Sequence, residues 1–381
     1  MADRTVPLGV IAKEWARFGV IGFGGPPAHL ALFRRRCVDE RGWIELETFE
    51  HAVTAANLLP GPASTQVSIY CAYVLGGPVG AFVGGLCFII PGLVGIIAAA
   101  ALLFGSSTPS VVAGAAAGAG SVVAAIALRT GIDLLQPAIT RARGVASEVA
   151  RVVLYAAIGA LACITLGTWL VLVLLGCGGF ELLRRNLGTQ RGPSSMVLGV
   201  VAMVGALPAM AWTALKVGAL SFGGGFVIVP LMQADAVHRH HWMTSAQFLQ
   251  AVALGQLTPG PVVQTVAAVG WAAGGLGGAL LMAVVAFAPS FLFVISLAGR
   301  FDALRSNPKV LSFMAGAGPA AMGAILGSAY LLARAISQPW EFGLLGMGLA
   351  WSVLFRRSSL QMILGALCIG AVICGAGLGH P

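Results

Sequence analysis

The sequence predicts an all-α, polytopic membrane protein made of two inverted-topology repeats with broken or re-entrant helices. Three observations carry that class. The chain is 58% hydrophobic and only 9% charged, whereas a soluble domain carries about 25% charge. Its apolar runs are separated by short basic clusters. The same glycine and proline motifs recur in both halves in one register. A bilayer accommodates so little charge, because lipid replaces water around most of the surface. The 53 glycines sit mostly inside the apolar runs, where small residues let membrane helices approach closely.

The repeat is read directly from the chain. Gly19-Val20-Ile21-Gly22-Phe23-Gly24-Gly25 matches Gly218-Ala219-Leu220-Ser221-Phe222-Gly223-Gly224, 199 residues later. The same offset brings Trp43 onto Trp242, Phe49 onto Phe248 and Pro60-Gly61-Pro62 onto Pro259-Gly260-Pro261. A one-residue gap then aligns Pro91 with Pro289. The halves are 1–192 and 193–381, with the polar stretch from Arg184 to Gly192 as linker. Duplicated halves are a signature of secondary transporters, with the substrate site between them.

The expected spans follow in order. The first covers Leu8 to Phe23, then an amphipathic stretch runs from Ala28 to Glu40 with Arg34-Arg35-Arg36. Phe49 to Leu75 is interrupted by Pro60-Gly61-Pro62. Val79–Phe104, Ser110–Leu135, Val149–Ile164 and Trp169–Leu183 complete the first half. The second half repeats the order near Val200–Phe222, Phe248–Ala273, Leu276–Leu297, Val310–Leu332, Phe342–Leu354 and Leu360–Ile373. If the PGP segments are re-entrant, Arg34–Arg36, Arg141/Arg143, Arg184/Arg185, Arg300/Arg305/Lys309 and Arg356/Arg357 all fall inside, as the positive-inside rule requires. Each half then crosses an odd number of times, so the two insert in opposite senses. The net charge of +9 is thus loop charge, and nucleic acid is not an expected partner.

The motifs point to anion chemistry. Consecutive glycines end a helix, and prolines without N–H stop one. A helix that restarts after such a break presents free N–H groups and a positive dipole end. Phe23, Gly24 and Gly25, with Ser221, Phe222, Gly223 and Gly224, form one pair of breaks. Pro60, Gly61 and Pro62, with Pro259, Gly260 and Pro261, form the other. Ser64, Thr65 and Gln66 begin one restart and Gln264 and Thr265 the other, while Asn57 and Gln256 stand just before the breaks. Structural kinks and close glycine packing are the plain alternative.

Arg17 aligns with Lys216. Intramembrane cations are costly and mark function, and two of them suit a dianion. Arg17 could instead pair with Glu14, whereas Lys216 has no acid near it in sequence. Glu50 and His51 could relay protons, with Leu249 and Gln250 as their unlike counterparts. Arg129 and Asp133, four apart, read as a pair across one turn. His238-Arg239-His240-His241 lacks a convincing fourth ligand and reads as a wet loop. The seven cysteines form no C-x-x-C pair and read as packing or lipid-facing residues. The first apolar stretch carries Lys13, Glu14 and Arg17 without a clear cleavage site, so it is expected to stay in the mature protein. No Walker A, HExxH or GxSxG signature is present, so neither an enzyme nor a cofactor is expected.

At these motifs the sequence resembles the chromate ion transporter (CHR) family. The resemblance rests on Phe23-Gly24-Gly25-Pro26 with His29, on Asn57-Leu58-Leu59-Pro60-Gly61-Pro62, on Ser221-Phe222-Gly223-Gly224-Gly225 with Pro230, and on Leu257-Thr258-Pro259-Gly260-Pro261. It implies antiparallel halves and efflux of chromate from the bacterial cytoplasm, driven by the proton gradient or membrane potential, with resistance as the outcome. Sulfate, a tetrahedral dianion of similar size, remains open as substrate. The expected setting is the inner or plasma membrane, with the oxyanion and the lipid bilayer as partners and a homodimer as the assembly to test.

Overall fold

The computed structural model describes residues 6–58, 61–105, 108–186, 209–221, 228–298, 307–354 and 359–378. The described residues form helices and no strand. The first repeat holds α1 (Leu8–Ile21), α2 (Gly25–Phe33) with a π-helical continuation (Arg34–Glu40), α3 (Leu46–Leu58) and α4 (Ala63–Leu103). Then come α5 (Ser110–Ser121), α6 (Val123–Ala142), α7 (Ala146–Leu166) and α8 (Leu170–Asn186). The second repeat holds α9 (Ala209–Leu220), α10 (Ile228–Gln233) with its own π-helical continuation (Ala234–Arg239), α11 (Ser245–Leu257) and α12 (Thr265–Leu297). It ends with α13 (Pro308–Arg334), α14 (Pro339–Leu354) and α15 (Ser359–Gly375). By length and composition, Ala63–Leu103, Ser110–Ala142, Ala146–Leu166, Val262–Leu297 and Pro308–Arg334 can cross a bilayer.

The structure corrects several expected spans. α1 stops at Ile21 after 14 residues, about 21 Å of helix, which is too short for the hydrocarbon core. It is a half-helix ended by Gly22. The expected span Ser110–Leu135 is two helices that meet at Val122 and extend to Ala142. The stretches 187–208, 299–306 and 355–358, with most of the linker and four of the expected inside arginines, lie outside the described residues.

α4 and α12 are interrupted where the sequence places the span boundaries, at residues 76 and 274. The expected spans before and after residue 76 are one hairpin. Gly76 (φ −143°, ψ 20°) and Gly77 (φ 62°, ψ −157°) reverse the chain. Gly274 (φ −163°, ψ 30°) and Gly275 (φ 59°, ψ −149°) repeat the same turn in α12. The arms then pack tightly: Gly80 and Gly84 face Ala72, and Gly270 faces Gly278, with no room for a side chain. The second PGP segment reverses the chain as well, since Gly255 of α11 lies against Thr265 of α12, and α3 likewise packs on α4. The second repeat therefore folds back twice before its long outgoing arm.

Aromatic burial fixes α1 on this hairpin. Trp15, Phe18, Phe33 and Phe88 are fully buried and meet edge to face or tilted. The Trp15 indole N–H donates to the Ser68 carbonyl at 3.0 Å, which spares that buried donor an unsatisfied state. Gly19 presses on the Phe88 carbonyl, and Gly218 presses on the Ala286 carbonyl at the related place.

The later helices interlock across the repeats. Gly159 of α7 lies against the Ala320 carbonyl of α13, and Gly323 of α13 against that of Ala156. Gly118 of α5 meets the Ala366 carbonyl of α15. Small residues give this close approach where lipid offers no hydrophobic drive between helices. Large apolar side chains such as Leu161, Val284, Leu292 and Val372 point outward, as lipid contact requires.

The hairpin turns give a clean test. A Cβ at Gly77 or Gly275 meets open space, so only the positive φ opposes a side chain. Gly77→Ala and Gly275→Ala should each cost about 1–3 kcal/mol in detergent unfolding. Gly176→Ala and Gly179→Ala, in open helical positions of α8, should be neutral or gain up to about 1 kcal/mol. Equal behaviour of the two sets would discount the turn geometry.

Candidate functional site

The first break begins at Gly22, whose N–H donates to the Phe18 carbonyl at 2.8 Å. Gly24 (φ 98°) and Gly25 (φ 74°) take left-handed backbone, and α2 restarts with Pro26-Pro27 in its first turn and no side-chain cap. Phe23 is exposed. The Gly22 carbonyl is the hub of the break. It accepts the Gly260 N–H of the second repeat at 2.7 Å. The ring Nε2 of the fully buried His29 lies 3.0 Å from it. The FGG break of one repeat is thereby tied to the PGP break of the other.

The remaining packing is reciprocal. Gly92, which follows Pro91, lies directly against the Pro259 carbonyl and the Gln264 amide. Ser290, which follows Pro289, lies against Gly61. Each PGP break therefore docks on the post-proline position of the other repeat's long helix. Sequence reasoning missed Gly92, Ser290 and the role of the Gly22 carbonyl. The aligned Pro91 and Pro289 were the available signal.

Both PGP restarts are buried and uncapped. Pro62 precedes α4 and Pro261 precedes the short turn Val262–Gln264 without a side-chain cap. Ser64, Thr65, Gln66, Gln264 and Thr265 are all buried. A helix start leaves its first N–H groups without intrahelical partners, and burying them without a cap is costly. Thr65 Oγ1, Ser68 Oγ, Gln264 Oε1, Ser290 Oγ, Ser221 Oγ, Gln256 Nε2 and His29 Nδ1 also lack a hydrogen-bond partner among the described residues. The Gln264 amide N–H donates to the Pro259 carbonyl at 2.7 Å, and the Thr265 hydroxyl to the Val262 carbonyl at 2.8 Å. Buried hydroxyl and amide donors such as Thr65, Ser290 and Gln256, together with the free N–H groups of the helix starts, suit an oxyanion.

Other expected site residues stand apart. Asn57 is exposed, unlike its half-buried counterpart Gln256. Pro60, Phe222, Gly223 and Gly224 lie outside the described residues. Glu50 is exposed beside a cavity of about 500 Å³ shared with Arg34 and Phe49. His51 faces Glu47 one turn away at 3.6 Å.

Lys216 corrects its sequence expectation. It is buried, and its ammonium contacts Asp235, a residue 19 positions away in the chain. The Thr213 hydroxyl donates to the same carboxylate oxygen at 2.8 Å. Lys216 is therefore a paired cation and not a free one waiting for a dianion. Arg17 is exposed, and no ion pair joins it to a described residue. Glu14, its expected alternative partner, is bound instead by Arg36 at 2.5 Å and Arg41 at 3.3 Å. The Arg36 and Arg35 guanidinium groups also hold the Glu40 carboxyl below its ordinary range. Arg129 pairs with Asp133 at 2.7 Å, as the spacing suggested, and also donates to the Ser352 carbonyl of α14 at 2.7 Å.

The chain is similar to known proteins over most of its length. The chromate transporter family model matches residues 10–182 and 208–374, so both repeats are covered. The chain is 31% identical to a chromate transport protein of Cupriavidus metallidurans, over 97% of this chain and 94% of that one. It is 30% identical to a probable chromate transport protein of Synechococcus elongatus, over 85% and 84% of the two chains. It is 29% identical to a chromate transport protein of Pseudomonas aeruginosa, over 82% and 78%. No solved structure matches the chain. With nearly its whole length matched in two successive segments, this multi-pass membrane protein belongs to the chromate transporter family.

Proposed function

We propose that the protein is a secondary active transporter that exports chromate from the bacterial cytoplasm across the inner or plasma membrane, using the proton gradient or the membrane potential. The oxyanion binds between the two repeats, at the buried and uncapped starts of the PGP half-helices. The observation that carries this reading is the exchanged docking of the breaks around Gly22, Gly260, Gly92 and Ser290. Irregular backbone at membrane depth persists where it is buried in protein or lines a cavity. Here it comes with buried hydroxyls and amides that have no partner among the described residues.

Alternating access follows from the same geometry. The repeats touch through glycine and carbonyl surfaces at their breaks, so rocking one on the other remakes the site from the opposite side. Inverted insertion is supported by the contact of Gly85 with Phe291, since the first-repeat counterpart of Phe291 is Leu93. That is an offset of about two turns. A two-fold axis along the helices would bring equal positions level, whereas an axis across them pairs positions on either side of a centre.

Transport is tested in everted vesicles with labelled chromate, with sulfate as competitor. Energised accumulation of chromate supports export; accumulation of sulfate alone would make the protein a sulfate carrier of the same build, and turnover at channel rates would make it a passive pore. Thr65→Val and Ser290→Ala should each weaken chromate binding about tenfold or more, the worth of a hydrogen bond to a charged group. Unchanged affinity in both would move the site elsewhere.

Gly92→Ala should disable transport, because its methyl would run into the Pro259 carbonyl, while Gly95→Ala nearby should be tolerated. Inverted insertion is checked by Arg35→Cys and Arg239→Cys, read with an impermeant thiol reagent on a background without other reactive cysteines. Labelling from opposite faces is expected, and labelling of both from one face would overturn it.

A further inference from the structure

The two repeats carry the same ionic constellation with its charges exchanged. Under the 199-residue offset Glu14 matches Thr213, Arg17 matches Lys216, Arg36 matches Asp235 and Arg41 matches His240. In the first repeat Glu14 of α1 is held by Arg36 and Arg41, and Arg41 lies over Trp43 at 5.4 Å. In the second, Lys216 of α9 is held by Asp235, and His240 stacks on Trp242 at 4.8 Å. Arg36 and Asp235 both stand on the π-helical continuations, a local form often found at functional sites.

The exchange changes what the cluster can do. Arginine stays protonated in proteins, so the first cluster keeps its guanidinium charges at any working pH. Its Arg36 and Arg41 side chains are 21% and 47% exposed. The second cluster is built from groups that titrate. The Lys216 and Asp235 side chains are only 4% and 1% exposed. Both Lys216 and the Thr213 hydroxyl use Asp235 Oδ2, while Oδ1 has no partner among the described residues.

The surroundings isolate this pair. The elements packed on α9 and on Ala234–Arg239 are α10, α11, α12 and the turn Gly167–Trp169, and none contains an ionisable residue. Among the described residues, Arg239 and His240 are the charged or titratable groups that act on the pair, with His241 beside His240. His240 also donates its backbone N–H to the Asp235 carbonyl at 2.9 Å, so a loop with exposed His238, Arg239 and His241 adjoins the buried carboxylate.

We propose that Asp235 is a proton-binding site of the transport cycle and that Lys216 is the counter-ion the proton releases. The proposal rests on the transporter reading above. A proton from water forms an O–H bond at Asp235 Oδ1, and the carboxyl becomes neutral. Lys216 keeps its own proton and loses its counter-ion, so one positive charge appears in the interior. Lys216 stands five residues before Ser221, about 7.5 Å along the helix, and the buried Ser221 hydroxyl has no partner among the described residues. Proton and anion therefore favour each other's binding, and by linkage the preference is reciprocal. They travel in the same direction. One proton with one dianion still leaves a net negative charge, so a potential negative inside drives it outward against a pH gradient that is acid outside, and the membrane potential is the driving force.

The test adds chromate or sulfate to weakly buffered, purified protein and follows pH with a dye. The wild type should take up about one proton per bound anion, as the linkage requires. Asp235→Asn, which mimics the protonated state, should bind anion with no proton uptake, and an imposed pH gradient should no longer drive net flux in proteoliposomes. Should that variant fail to fold, Lys216→Met with Asp235→Leu removes the ion pair at similar volume, and the same loss of proton uptake is expected. Proton uptake that persists in the neutral variants overturns the proposal. So does a wild type that binds anion without taking up a proton, which would leave the carrier reading standing. If the wild type binds neither anion, the carrier reading fails. An infrared titration then decides the proton site without any anion: a carboxyl band present in the wild type and missing in Asp235→Asn supports it, and identical spectra sink it.

Discussion

The hydrogen bond from the Gly260 N–H to the Gly22 carbonyl meets the constraint on which the rest of the structure depends. Backbone polar groups within a bilayer need partners from the protein itself. A broken helix frees several of them at once, so it cannot face lipid. Among the described residues, Gly22 and Gly61 of the first repeat's breaks meet the second repeat, and Pro259 and Gly260 of the second repeat's PGP break meet the first. Gly92 and Ser290 let the opposite PGP segment come close, and the double hairpin of α4 and α12 carries those segments inward. The short α1, the uncapped restarts and the glycine-lined helix contacts follow from one requirement, that irregular backbone be buried between two copies of the same unit.

Much of this was legible because glycine and proline act through the backbone. Gly24-Gly25 and Pro60-Gly61-Pro62 mark breaks wherever they occur, and the constant offset said that the breaks recur in both repeats. The turn at Gly76-Gly77 was legible too, since the pair aligns with Gly274-Gly275 and the expected spans part at both places. How closely the arms pack was not, with Ala72 set against Gly80 and Gly84. Side-chain partners were harder still. Lys216 has no acid near it in sequence, and Asp235 reaches it because α10 brings the second π-helical turn back along α9. Arg17, read as its equal, is exposed, and Glu14 has taken different partners. Repeat symmetry predicted where ionic groups stand and not which charge each would hold.

That last difference explains why two copies of one unit need not be redundant. A transporter built from strictly identical repeats would have two identical sites and no way to assign coupling to one of them. The first repeat sets its acid on the first helix and its base on the π-helical turn, and the second does the reverse from a different first-helix position, so an attraction between the same two elements is kept in both. The exchange also divides the labour. The arginine-rich cluster is partly exposed and its guanidinium groups stay charged, so it serves as the more constant tie. The Lys216–Asp235 pair is buried, where an ion pair gains little net stability against well-packed apolar residues, yet loss of one partner is strongly unfavourable. Burial of the pair is therefore a poor source of stability, and it falls in the repeat whose cation stands five residues before the buried Ser221.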